Sequence, residues 1–192
     1  MLIGDPSEFA VESGITKAYE RLSFRALGYF VVHISGYRYG VFEPDATMLA
    51  CSFDEIERRI TGRGHHVAPF SSENDGGKIA EAYLAAIYAP NQEANSLFAI
   101  SQARFRDLIY SNHLSWAPDG DEAFDDSSHI LQFDLGNRVR VVGFKCVDDG
   151  YRHDPNTLVD ILLNADKFYE ILQRWRDAFA DEWCRHNKLP EC

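Results

Sequence analysis

The pattern that most limits what this chain can fold into lies near its C-terminus. Between residues 165 and 186, Phe168, Ile171, Leu172, Trp175, Phe179 and Trp183 recur at three- and four-residue steps, with Glu170, Arg174, Asp177 and Asp181 between them. That spacing is one face of a 3.6-residue period and predicts a long amphipathic helix. Its aromatic stripe needs an apolar surface to lie on.

Strand pairs elsewhere can supply one. "HILQFDLGNRVRVVGFKCV" (129–147) holds two β-prone runs around Gly136-Asn137, a two-residue pair suited to a tight hairpin. "RALGYFVVHISGYRYGVF" (25–42) repeats the arrangement around Ser35-Gly36, with Tyr37, Tyr39 and Val41 on alternate positions. "EFAVES" (8–13) alternates, and "LVDILL" (158–163) reads as a further strand, leaving Asn164 or Asp166 to cap the last helix.

Three shorter helices complete the pattern. "SFDEIERRITG" carries a capping-box spacing, Ser52 as N-cap and Glu55 three residues on. Residues 78–88 place Ile79, Tyr83, Leu84 and Ile87 on one face before Pro90, and residues 101–112 start at a capping Ser101. Strand pairs mixed with helices, without regular βαβ alternation, predict an α+β fold with a largely antiparallel sheet. At 192 residues the chain suits a single domain over 1–192.

Charge then narrows the partners. The net charge is −11, and residues 119–192 contribute 16 acids against 9 bases, or −7. Nucleic-acid binding needs basic surface to displace phosphate counterions, so it is not expected. A basic protein partner would be steered in. No basic-then-apolar leader and no membrane-length apolar run are visible, so the reading is cytoplasmic. Cys51, Cys146, Cys184 and Cys192 are widely spaced without a CxxC pair. That is a poor zinc pattern and a poor disulfide framework, and reduced thiols are expected.

The densest charge is in "APDGDEAFDDSS" (117–128), where Asp119, Asp121, Glu122, Asp125 and Asp126 surround Phe124. A calcium loop needs acids at alternating positions, a later Gly and a distant Glu; here Gly120 comes too early and no such Glu follows. Exposed acids feel mostly water and one another, which argues against a tuned glycosidase pair. His65-His66 are adjacent, whereas a metalloprotease spaces its histidines four apart on a helix. His153-Asp154 precedes a proline and reads as a turn, and Cys184 with His186 lacks a third ligand in sequence. No GxSxG or P-loop spacing occurs. No catalytic, cofactor or metal site is expected. The remaining enzymatic alternative is a small metal-dependent or His/carboxylate hydrolase using the acidic loop with His129 or His153. A third reading is a subunit of another complex, with Tyr37, Tyr39 or Trp116 on a partner face.

Three stretches carry a family likeness: "LIGDPSEFAVES", "DEAFDDSSHILQFDLGNRVRVVGFK" and "FYEILQRWRDAFADEW". Together they resemble the immunity protein 42 family of bacterial polymorphic toxin systems. The resemblance implies a small cytoplasmic antidote that binds a cognate toxin delivered by a neighbouring cell and blocks it without turnover, with no catalytic residues to carry over. Charge suggests how: a toxin with a basic cleft, such as a nuclease, would accept Asp119, Asp121, Glu122, Asp125 and Asp126, with Trp116 or Phe124 as the desolvated anchor. The partner expected is a toxin domain encoded by an adjacent gene; the acidic charge disfavours indiscriminate self-association but permits a homodimer.

Overall fold

A computed structural model describes residues 1–89, 96–116, 121–147 and 152–187. In chain order the elements are β1 (Leu2–Asp5), β2 (Phe9–Ala18), β3 (Ala26–Ile34), β4 (Tyr37–Tyr39), β5 (Thr47–Met48), α1 (Leu49–Thr61) and α2 (Gly76–Tyr88). There follow β6 (Ser96–Leu97), β7 (Ile100–Ser101), α3 (Gln102–Ser111), β8 (Ser128–Leu135), β9 (Arg138–Val147), β10 (Arg152–His153), β11 (Val159–Asn164) and α4 (Ala165–Asn187). Helices and antiparallel sheets thus give the α+β class. The chain divides into two compact units, one of Met1–Arg63, Asp119–Asp126 and Asp166–Cys192, the other of Gly64–Pro118 and Ser127–Ala165.

The first unit explains the aromatic stripe. Its antiparallel sheet runs β1-β2-β3-β4, with β5 also paired to β3. Opposed pairs Phe9↔Ile34, Val11↔Val32 and Ser13↔Phe30 put their side chains on one face, since directly opposed residues share a face. Helix α4 brings Trp175 edge-on to Phe30, with ring centroids 5.2 Å apart, and Phe168 to within 4.7 Å of Phe9. Buried tryptophans need a partner for the indole N–H. Trp175 Nε1 donates to Ser13 Oγ at 3.0 Å, and Trp183 Nε1 to the carbonyls of Tyr19 and Arg25 at 2.9 and 2.8 Å. The periodicity therefore reported a real packing face. Strand β1 lies outside the sequence expectation; it follows from the Asp5-Pro6-Ser7 turn, where Asp5 Oδ1 accepts from the Ser7 amide and hydroxyl at 2.9 and 2.7 Å.

One helix start is corrected. α1 begins at Leu49, with Met48 at the N-cap and no side-chain cap bond. It leaves β5 directly, so Ser52 is already inside the helix and its hydroxyl reaches Asp121 Oδ2 at 3.4 Å. Glu55 pairs instead with the fully buried Arg59, Nη2 to Oε1 2.7 Å, and with Arg58.

In the second unit β9 is central, with β8 on one side and β10 and β11 on the other. The Gly136-Asn137 hairpin has the register Leu135↔Arg138 through Ser128↔Lys145. Ile79, Tyr83, Phe105, Leu108 and Ile109 from α2 and α3 cluster with Leu131, Phe133, Val142 and Phe144. Ser101 caps α3 as expected, accepting from Arg104 N at 3.3 Å. α2 starts two residues earlier than the apolar pattern indicated, because Asp75 caps it, accepting from Gly77 N at 2.9 Å and Lys78 N at 3.3 Å. Cys51 and Cys146 are free thiols while Cys184 is disulfide-bonded, which corrects the expectation of reduced thiols at that position. Among the described residues no helix is long and apolar enough to cross a membrane.

Candidate partner-binding surface

Six of the seven residues expected to meet a partner are described; Asp119 lies outside the described residues. Asp121 opens a 3₁₀ turn over Glu122–Phe124 and spends its carboxylate inside the first unit. Oδ1 accepts from Ala123 N and Thr47 Oγ1, both at 2.9 Å, and Oδ2 faces Ser52. This is the short Asx-type capping that aspartate performs well. Ala123 is fully buried, and its carbonyl accepts from Val41 N at 2.8 Å. That approach needs Gly40, at φ +112°, where a Cβ would lie 2.9 Å from both the Ala123 and Phe30 carbonyl oxygens. Phe124 is half-buried, edge-on to Phe30 at 6.3 Å.

Thus the turn is fixed by its first carboxylate, its alanine and its phenylalanine, while Glu122 and Asp125 stand exposed and Asp126 is half-buried. The charge density read from the sequence is divided: Asp121 holds the turn, and the exposed Glu122 and Asp125 show their charge. A fixed turn loses less freedom on binding than a mobile loop.

The sequence reading missed a neighbour, Asp54 on α1, which is 65% exposed in its side chain. Its proximity is visible through Cys51, whose thiol is raised above its usual value by burial first, then by the negative charges of Asp121, Asp54 and Glu122. Nothing local in the sequence points to this grouping, since some seventy residues separate the two segments.

Trp116 belongs to the second unit and is 3% exposed, with its backbone N–H bonded to the Ile130 carbonyl at 2.9 Å. Its ring offers no free face, which removes it as a surface anchor. Tyr39 is also fully buried, while Tyr37 is exposed at 47%.

The histidines are structural in their surroundings. His66 is 1% exposed with Nδ1 3.1 Å from the Asn112 and His113 carbonyl oxygens, a core histidine donating to backbone; its neighbour His65 is exposed. His129 stacks on Phe144 at 5.3 Å, and His153 meets the same ring at 6.3 Å. Asp154 caps the short turn Pro155–Thr157 through Asn156 N at 2.9 Å. Among the described residues no three His, Cys, Asp or Glu side chains are grouped to hold a metal ion.

A family model described as immunity protein 42 matches residues 1–178. No curated protein matches the chain. Among solved structures, the crystal structure of CdiI from Burkholderia dolosa AUO158 aligns with a TM-score of 0.55, covering 91% of this chain and 97% of that one. The two sequences are 14% identical, so this is a likeness of fold.

Proposed function

We propose that this chain, which belongs to the immunity protein 42 family, neutralises its cognate toxin by stoichiometric occlusion, presenting the turn at 121–126 to a basic cleft. The chain is an immunity protein; the cleft, the mode of inhibition and the residues of contact are our reading. The observation that supports it is the pinned turn, with Glu122 and Asp125 exposed on a backbone held by Asp121, Ala123 and Phe124. A nuclease is the natural candidate for the toxin, because a cleft that holds phosphates is basic. Opposite potentials would raise the encounter rate to about 10⁸ M⁻¹s⁻¹ or more at low salt.

The partner we expect is the toxin domain encoded beside this chain's gene, met in the cytoplasm, one toxin to each copy whether the chain acts singly or as a homodimer. Inhibition then needs no turnover. Membership of an immunity family argues against the hydrolase alternative. Association rates measured by stopped flow against ionic strength test the reading. A rate that falls steeply as salt rises supports an electrostatically steered contact, and a rate indifferent to salt removes the acidic turn from it.

A further inference from the structure

The two edges of the second unit's sheet are unlike. The outer edge of β8 is occupied: Trp116 N donates to Ile130 O, Gln132 N to Leu114 O and Asp134 N to His66 O, at 2.9, 2.8 and 2.7 Å. Among the described residues no strand pairs with the outer edge of β11, and the hairpin shows which of its groups point outward. Leu135 and Arg138 flank a two-residue turn, so they face each other with both backbone bonds made. Arg138, Arg140 and Val142 therefore turn their N–H and C=O toward β8. Val139, Val141 and Gly143 turn theirs toward Leu163, Ile161 and Val159 of β11. The same alternation sends Cys146 N to Ser127 O and Lys145 N to Thr157 Oγ1, on opposite sides of the strand. Asp160 and Leu162 are left aiming their N–H and C=O away from the sheet. Among the described residues these groups make no backbone hydrogen bond.

Edge strands are commonly guarded by charge or proline. Here Leu162 stands 54% exposed at the bare edge. Beside it lies a cleft of about 340 Å³ whose lining includes Ser72, Glu73, Asn74, Arg140 and Asp160. The charge of Arg140 is already used: Nε and Nη2 donate to Asp160 at 2.8 and 2.5 Å, and Nη1 to the carbonyls of Ser71 and Glu73. Glu73 makes no ion pair among the described residues; its carboxylate accepts only from Asp75 N, at 3.2 Å. With Asp160 matched by Arg140, the cleft's described lining keeps the negative charge of Glu73.

We propose that the bare edge of β11 and this cleft together receive an extended segment of the cognate toxin, which adds as a strand and sets a lysine or arginine toward Glu73. Backbone bonds to Asp160 and Leu162 would hold such a strand, and the cleft would select one of its alternate side chains. A second copy of this chain fits less well, because it would bring the same uncompensated acid to the junction. The inference rests on the reading that a toxin is the partner, and adds a contact to the acidic turn.

Hydrogen exchange of the purified protein, alone and with the adjacent-gene toxin, combined with titration of that toxin against three forms, tests it. The forms are wild type, Leu162→Pro and Glu73→Lys; the proline removes only an outward N–H, and the lysine variant leaves β11 unaltered. We expect the Leu162 amide to be protected only in the complex, and each variant to weaken binding by about tenfold or more. A complex in which that amide exchanges as in the free protein, with Glu73→Lys binding like wild type, overturns the inference while leaving the immunity reading intact. Protection in the free protein together with a dimer in sedimentation makes a second copy the occupant and overturns it as well. Absence of any complex with wild type overturns both readings.

Discussion

Gly76 lies against Asp160: a Cβ at position 76 would come 2.6 Å from Asp160 Oδ2 and 2.9 Å from its Cγ. That carboxylate is the one that holds Arg140. An alanine in the first turn of a helix is ordinarily favourable, by up to about 1 kcal/mol over glycine. Here the clash reverses the sign. Gly76→Ala is predicted to destabilise the protein by about 1–3 kcal/mol, as overpacking does. A lower urea midpoint with an unchanged m-value would check it.

The division of labour within the acidic turn makes a second prediction. Asp121→Ala removes the acceptor for Ala123 N and Thr47 Oγ1. It should cost about 1–2 kcal/mol of stability, the range for losing an aspartate cap. Glu122→Gln, at an exposed position, should change stability by less than about 0.5 kcal/mol. Chemical denaturation of the two variants side by side separates the fixed carboxylate from the displayed one. Equal effects would remove the distinction.

Glu55 and Arg59 supply a third. Arg59 is fully buried, and burial lowers its pKa, opposed by Glu55. Replacing Glu55 by leucine removes its carboxylate from that guanidinium and should cost about 3–5 kcal/mol. The double variant Glu55→Leu, Arg59→Met should recover much of the loss, because two apolar groups of similar size can fill the space. Thermal unfolding of both variants decides the matter; a double variant no more stable than the single would contradict it.

The thiols report on pH. Burial pushes Cys146 up to about 11 from an ordinary 9.0. The folded state therefore binds this proton more tightly than the unfolded state. Its contribution is fully present below pH 9.0 and is lost as pH rises through about 11. Iodoacetamide labelling of folded protein should show a midpoint near 11 at Cys146. Cys51 is raised by burial and then by Asp121, Asp54 and Glu122. Asp54→Asn removes a negative charge that opposes the thiolate, so it should lower the Cys51 midpoint and speed its labelling. No change would dissolve the grouping of α1 with the acidic turn.

How much of this was legible in sequence depended on distance along the chain. The stripe from Phe168 to Trp183, the Gly136-Asn137 turn and the Ser101 cap are local signals, and each element formed where they pointed. The Ser52 cap failed because a tertiary event, the pairing of Met48 with Leu27, carries the chain straight into α1. The acid-rich segment was visible as charge. The role of Asp121 was not, since Thr47 and Ser52 lie about seventy positions away. In sequence Trp116 looks like a surface aromatic, because composition cannot tell an exposed ring from one at 3%. The bare edge of β11 was invisible for the same reason: a strand's outer groups depend on which strands pair.

The decisive measurement is the dissociation constant of the adjacent-gene toxin for this chain and for its Glu122→Gln, Asp125→Asn variant, at low and at high salt. The variant keeps Asp121, so the turn should stay folded. The account predicts weaker binding by about tenfold or more at low salt, and a difference that narrows as salt rises. Unchanged affinity at both salt concentrations, in a variant shown to be folded, would contradict it and leave the acidic turn as ordinary solvated surface.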